Sequence, residues 1–144
     1  MRKFISLMVA GAACTGIQVA DAASVPATLS EFAKSPSTTR YYEELTKDTS
    51  VPNWVSQGTE TPVQQVSYQH QPAYTYSTCK PHDCSSHSFA MLYVPSSHAT
   101  YGVLRTTEES AESSSEQLHW FGMKGGAETT SGKALLYSAL VDPQ

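Results

Sequence analysis

Ser88-Phe89-Ala90-Met91-Leu92-Tyr93-Val94 carries apolar side chains on both of its alternating sets. Phe89, Met91 and Tyr93 fall on one side, and Ala90, Leu92 and Val94 on the other. The pattern predicts a strand over 88–94 that is buried on both faces or nearly so. Upstream, Tyr74 and Tyr76 share one face of 73–78, and Val63, Val66 and Tyr68 hint at an earlier strand. Downstream, Pro95-Ser96-Ser97 turns the chain into a strand over Tyr101-Gly102-Val103-Leu104-Arg105, and Leu118, Trp120 and Phe121 belong to a last strand.

Helical spacing appears only towards the ends. Thr28 or Ser30 can cap a short helix through Leu29, Phe32 and Ala33 that stops near Ser35-Pro36. Ser37-Thr38-Thr39 is a second capping cluster, and Tyr41, Tyr42 and Leu45 after it suit an amphipathic helix of two or three turns. Val51-Pro52-Asn53-Trp54-Val55 breaks helical continuity and is expected to lay Trp54 into the core. Ser56 to Glu60 reads as a Gly-containing turn, Thr106 to Glu116 as a solvated loop or helical turn, and 133–140 as a C-terminal helix with Leu136 and Leu140 on one face. Strands flanked by terminal helices and joined mostly by short turns predict an α+β fold. It is a single domain, with an antiparallel β-sheet flanked by short helices.

Between two of these strands lies Cys79-Lys80-Pro81-His82-Asp83-Cys84. If the thiols join, they tie a very short loop at the end of the sheet. Pro81 fixes its own φ and pushes Lys80 towards an extended conformation, so the loop is stiff even before the bridge forms. His82 stands at its tip between the charges of Lys80 and Asp83, in the kind of loop that carries function.

The N-terminus supplies an oxidising compartment. Arg2 and Lys3 precede an apolar run from Phe4 to Ala13, and Ala20-Asp21-Ala22 offers small residues where a signal peptidase reads. This is the layout of a secretory signal over residues 1–22, and the run is too short to span a bilayer. Lipoprotein processing at Cys14 is the rival, but no Leu stands at the third position before it. Either way Cys14 goes with the signal or its lipid, and Cys79 and Cys84 remain as an even pair.

The whole chain has 144 residues, with 9 basic and 13 acidic side chains. Removing 1–22 takes away Arg2, Lys3 and Asp21, which leaves a formal charge of −5. About 122 residues then make one domain with a single modest core. Acidity argues against nucleic acid and anionic membranes and favours a basic partner.

His82, His87 and the two cysteines could form a Cys2His2 zinc site, but four ligands inside nine residues crowd one ion and a disulfide removes both thiolates. A thioredoxin-like site wants two residues between its cysteines, and here there are four. His70, His98 and His119 are scattered and suit surface or strand positions. Glu108, Glu109, Glu112 and Glu116 could be imagined as glycosidase carboxylates, though so polar a stretch fits a solvated face better. There is no Gly-rich phosphate loop, Gly-x-Ser-x-Gly or His-Glu-x-x-His. The bland alternative for the loop is a disulfide that merely pins a turn. The residues thus point to no catalytic residue, cofactor or metal.

Cys79-Lys80-Pro81-His82-Asp83-Cys84 resembles the signature loop of the Ivy family, periplasmic inhibitors of vertebrate (c-type) lysozyme. Pro52-Asn53-Trp54-Val55 resembles the family's Pro-x-Trp-Val segment, Leu118-His119-Trp120 its later Leu-x-Trp, and residues 132–140 its closing segment. Departures lie in the Ser-rich loop, just after the signal, and in the short tail after Leu140, which bears on whether the protein is a monomer or a homodimer.

The resemblance implies a lysozyme-inhibitor domain over 23–144, acting in the periplasm without catalysing a reaction. By it, the protruding disulfide-closed loop plugs the lysozyme cleft, and His82 is the key blocking residue. Lys80, Pro81 and Asp83 shape the loop, which the Cys79–Cys84 bridge closes. The alternative from another class is an envelope housekeeping module that restrains endogenous lytic transglycosylases or, less in keeping with the residues, binds a metal. After signal removal no membrane contact is expected.

Overall fold

The computed structural model describes residues 24–47, 51–125 and 127–142. The expected signal, its cleavage point and Cys14 lie outside these residues. Four strands follow one another as antiparallel hairpins: β3 (Gln71–Cys79), β4 (His87–Val94), β5 (Ala99–Glu109) and β6 (Ser114–Phe121). Two shorter pieces, β1 (Thr59–Glu60) and β2 (Gln64–Tyr68), share the outer edge of β3. β1 pairs with its Cys79 end and β2 with its Gln71 end, which completes a six-stranded antiparallel sheet.

β4 is buried on both faces, as its double apolar pattern predicts. Phe89, Met91 and Tyr93 pack with Tyr76, Leu29, Phe32, Leu45, Val55 and Phe121. Ala90, Leu92 and Val94 pack with Ala73, Tyr68, Val103, Leu136 and Leu140. The first face is covered by α1 (Leu29–Lys34) and α2 (Thr39–Thr46), the second by α3 (Ala127–Val141). The fold is therefore α+β, one sheet between two helical layers. Tyr76 shows how its polar ends are satisfied. Only 1% exposed, it donates its hydroxyl to the Pro26 carbonyl at 3.0 Å, and burial pushes its pKa up.

The first helix begins where the sequence places it, with Thr28 Oγ1 accepting from the Glu31 amide at 3.3 Å. At the second, Thr38 occupies the N-cap but makes no capping bond with its side chain. Its hydroxyl instead donates to the Phe32 carbonyl at 2.7 Å, tying the end of α1 to the start of α2. The third helix is longer than the predicted 133–140.

Trp54 lies in a one-turn 3-10 helix, Asn53–Ser56, half-buried and packed against the first apolar cluster, while its neighbour Val55 is fully buried in it. One expectation is corrected. Thr106 to Glu116 is no loop. β5 runs on to Glu109, and Thr106, Thr107, Glu108 and Glu109 pair with Gln117, Glu116, Ser115 and Ser114. The hairpin closes at Ser110 and Ser113, whose main chains bond at 2.8 Å. Its tip is wet, so no apolar alternation marks it in the sequence, and main-chain pairing alone makes it a ribbon.

Gly58 is required by a close approach. A Cβ there would land on the Cys79 carbonyl oxygen and the Thr78 hydroxyl, well inside van der Waals contact. Gly58→Ala should therefore cost about 1–3 kcal/mol by forcing the β1 edge away from β3. Urea unfolding would show it as a lower midpoint at unchanged slope, and an unchanged midpoint would mean the strand end yields freely.

Candidate functional site

β3 ends at Cys79 and β4 begins at His87, so 80–86 bridge the two at the end of the sheet. Cys79 and Cys84 are joined, with Cα atoms 4.8 Å apart. Inside the ring the chain makes a β-turn, the Asp83 amide donating to the Lys80 carbonyl at 2.9 Å. Pro81 takes the second position and His82 the third, where φ is +65°. Proline followed by a positive φ is the signature of a type II turn, whose third position normally belongs to glycine. A histidine held there stands out from the tip, and its side chain is exposed.

The second half of the loop is braced from its base. The Ser86 and His87 amides donate to the Asp83 carbonyl at 3.2 and 3.0 Å, and the Lys80 amide donates to the His87 carbonyl at 3.0 Å. A bond of 2.8 Å from the Thr107 amide to the Ser86 carbonyl ties the loop to β5. Asp83 Oδ2 meets Lys80 Nζ at 3.2 Å and His87 Nδ1 at 2.8 Å. Lys80 first, then Ser86 and His87, hold the Asp83 carboxyl below the usual carboxylate range. It therefore stays ionised through neutral pH and can only accept hydrogen bonds.

The structure thus gathers Cys79, Lys80, Pro81, His82, Asp83 and Cys84 in one braced loop and brings His87 into it as well. That last contact was missed by sequence reasoning, and its only signal is the spacing Asp83-x-x-x-His87. The other histidines lie elsewhere. His70 (φ +61°) and His98 (φ +57°) sit in the β2–β3 and β4–β5 turns at the opposite end of the sheet. The exposed His119 on β6 lays its ring 4.7 Å from that of Phe121.

The disulfide takes both sulfurs out of any zinc site, and among the described residues no group of three or more His, Cys, Asp or Glu is placed to hold a metal. The glutamates do not converge either. Glu116 pairs with Arg105 at 2.6 Å and accepts from the Tyr137 hydroxyl at 3.2 Å. Glu108, Glu109 and Glu112 stand exposed around the β5–β6 hairpin tip. The loop offers recognition chemistry, with one projecting imidazole and two anchored charges behind it.

Residues 38–133, which contain the whole loop and the strands that carry it, match the family described as Inhibitor of vertebrate lysozyme (Ivy). The chain belongs to the Ivy family. Two relatives named "Inhibitor of vertebrate lysozyme", from Escherichia coli K12 and Escherichia coli O157:H7, are each 32% identical to it over 114 residues. The alignment covers 78% of this chain and 71% of either relative.

Proposed function

We propose that this protein inhibits c-type lysozyme by seating the Cys79–Cys84 loop in the enzyme's cleft, with His82 between the two catalytic carboxyl groups. Lysozyme works with a glutamic acid of raised pKa beside an ionised carboxylate. A protonated imidazole set between them donates from both nitrogens and makes charge-assisted hydrogen bonds to groups shielded from water. The observation that carries the proposal is the backbone of His82. Gln69, His70 and His98 also have positive φ, but His82 alone of the four projects from a disulfide-closed and ion-paired turn, which fits a side chain held out for a partner. Lys80, Pro81 and Asp83 shape the loop behind it.

The predicted secretory segment supports a periplasmic location for the mature protein, where an attacking lysozyme meets its substrate. Among the described residues no helix is long and apolar enough to cross a membrane. The deciding assay titrates purified mature protein into c-type lysozyme acting on a peptidoglycan suspension. Stoichiometric loss of lysis is the expected result, and undiminished lysis overturns the proposal.

Charge should govern the encounter. Once residues 1–22 are removed the chain is formally −5, and Glu108, Glu109 and Glu112 are exposed on the hairpin beside the loop. A basic enzyme is drawn to that end, so its association rate should fall about tenfold or more between low and high ionic strength while dissociation changes less. A flat association rate in surface-plasmon measurements would remove electrostatic steering from the account.

A further inference from the structure

We propose that His87 is a positioning residue for His82 and acts through Asp83. The inference rests on the lysozyme-plug reading of the loop and adds a residue outside the six-residue ring. His87 is the first residue of β4, fixed in the sheet opposite Thr106 on β5. From that base it holds Asp83 twice, by its amide to the Asp83 carbonyl at 3.0 Å and by Nδ1 to Oδ2 at 2.8 Å. Its own carbonyl meanwhile takes the Lys80 amide at 3.0 Å, on the other arm of the loop. One residue therefore grips both sides of the turn that has His82 at its third position.

The chemistry fixes the imidazole. An ionised carboxylate accepts and never donates, so Nδ1 must carry the proton. That hydrogen bond is present in the neutral Nδ1–H tautomer and survives protonation of Nε2, so the grip depends on a donor at Nδ1 rather than on a charge. Lys80 shares the same Asp83 oxygen but arrives on a flexible stem, half in solvent, and restrains it less. Without the imidazole, Asp83 keeps Lys80, Ser86 and the ring closed by the disulfide but loses its side-chain link to a strand residue. The fraction of free molecules with His82 in the binding geometry then falls, and apparent affinity falls by the same fraction.

The test uses the oxidised full-length mature protein with three substitutions, His87→Leu, His87→Ala and His87→Asn. Asparagine places an amide N–H near the position of Nδ1 and carries no charge. Leu and Ala should each weaken lysozyme inhibition about tenfold, the size of one lost hydrogen bond to a charged group, chiefly through slower association. The amide order parameter of His82 in the free protein should drop in the same variants, with little change in unfolding temperature. His87→Asn should restore both inhibition and order. Unchanged order and inhibition in the Leu and Ala variants overturn the assignment, and so does an Asn variant as impaired as they are. If wild-type protein leaves lysozyme untouched, the plug reading fails by itself, and the order parameters still decide whether His87 holds the loop.

Discussion

His82→Ala should cost about 2–4 kcal/mol of lysozyme binding, the loss expected when a central anchor of an interface is truncated. Folding should hardly notice, because the exposed tip contributes nothing to either apolar layer. The backbone adds a second arm to the experiment. At φ +65° a residue with a Cβ carries roughly 1 kcal/mol of strain that glycine does not. His82→Gly should thus bind as poorly as His82→Ala yet unfold at a slightly higher temperature. Titration calorimetry with thermal unfolding separates the two effects. Wild-type affinity in either variant sinks the plug model and leaves the disulfide as a pin for a turn.

A pH dependence accompanies that anchor. Two carboxyl groups flanking an imidazole favour its charged form, so association takes up a proton and strengthens as pH falls from neutral. The gain ends once the enzyme's own carboxylates protonate. The loop itself stays braced across this range. The folded-state pKa of Asp83 lies below its ordinary value, so its contribution is present above that value and is lost only as pH falls through the depressed one.

The second large effect belongs to the bridge. Chain-entropy reasoning gives a ring this small only about 2 kcal/mol of global stabilisation. The two apolar layers do not include Cys79 or Cys84, so the Cys79→Ser/Cys84→Ser protein should keep its folded far-UV spectrum. Its inhibition should fall much further than its fold suffers. Freeing even two residues of the turn adds about 2–4 kcal/mol of ordering cost to binding. A double variant that inhibits like the parent would show that hydrogen bonds alone hold the tip in place.

The middle of the sheet was legible because burial writes itself into side-chain alternation. Phe89, Met91 and Tyr93 against Ala90, Leu92 and Val94 leave one arrangement, a strand covered on both sides. Where water replaces one layer, that signal fades. Thr106 to Glu116 has the backbone of a hairpin and the composition of a loop, since its pairing is made by main-chain groups common to all residues. Val55 was harder to read. A large ring suggests a core position and Trp54 does pack against the core, but in this single 3-10 turn the smaller Val55 is the residue fully buried.

The loop was legible as a motif and as a stiff segment, because Pro81 fixes its own φ. Two of its features were not. The positive φ of His82 follows from closing the turn on Asp83, which no local pattern announces. The contact from His87 to Asp83 joins a strand residue to a loop residue, and spacing rules for helices or strands do not reach across that boundary.

Consecutive pairing of β3, β4, β5 and β6 also bears on how the protein is made. Contacts between chain neighbours close small loops, lose little entropy in forming and so arise early in folding. The two thiols are brought face to face by the β3–β4 hairpin alone, and residues 71–94 are enough to build it. A chain threaded across a membrane in an unfolded state could thus oxidise its loop before α3, near the end of the sequence, has docked on the sheet. The part proposed to meet the enzyme would then be finished ahead of the scaffold that supports it.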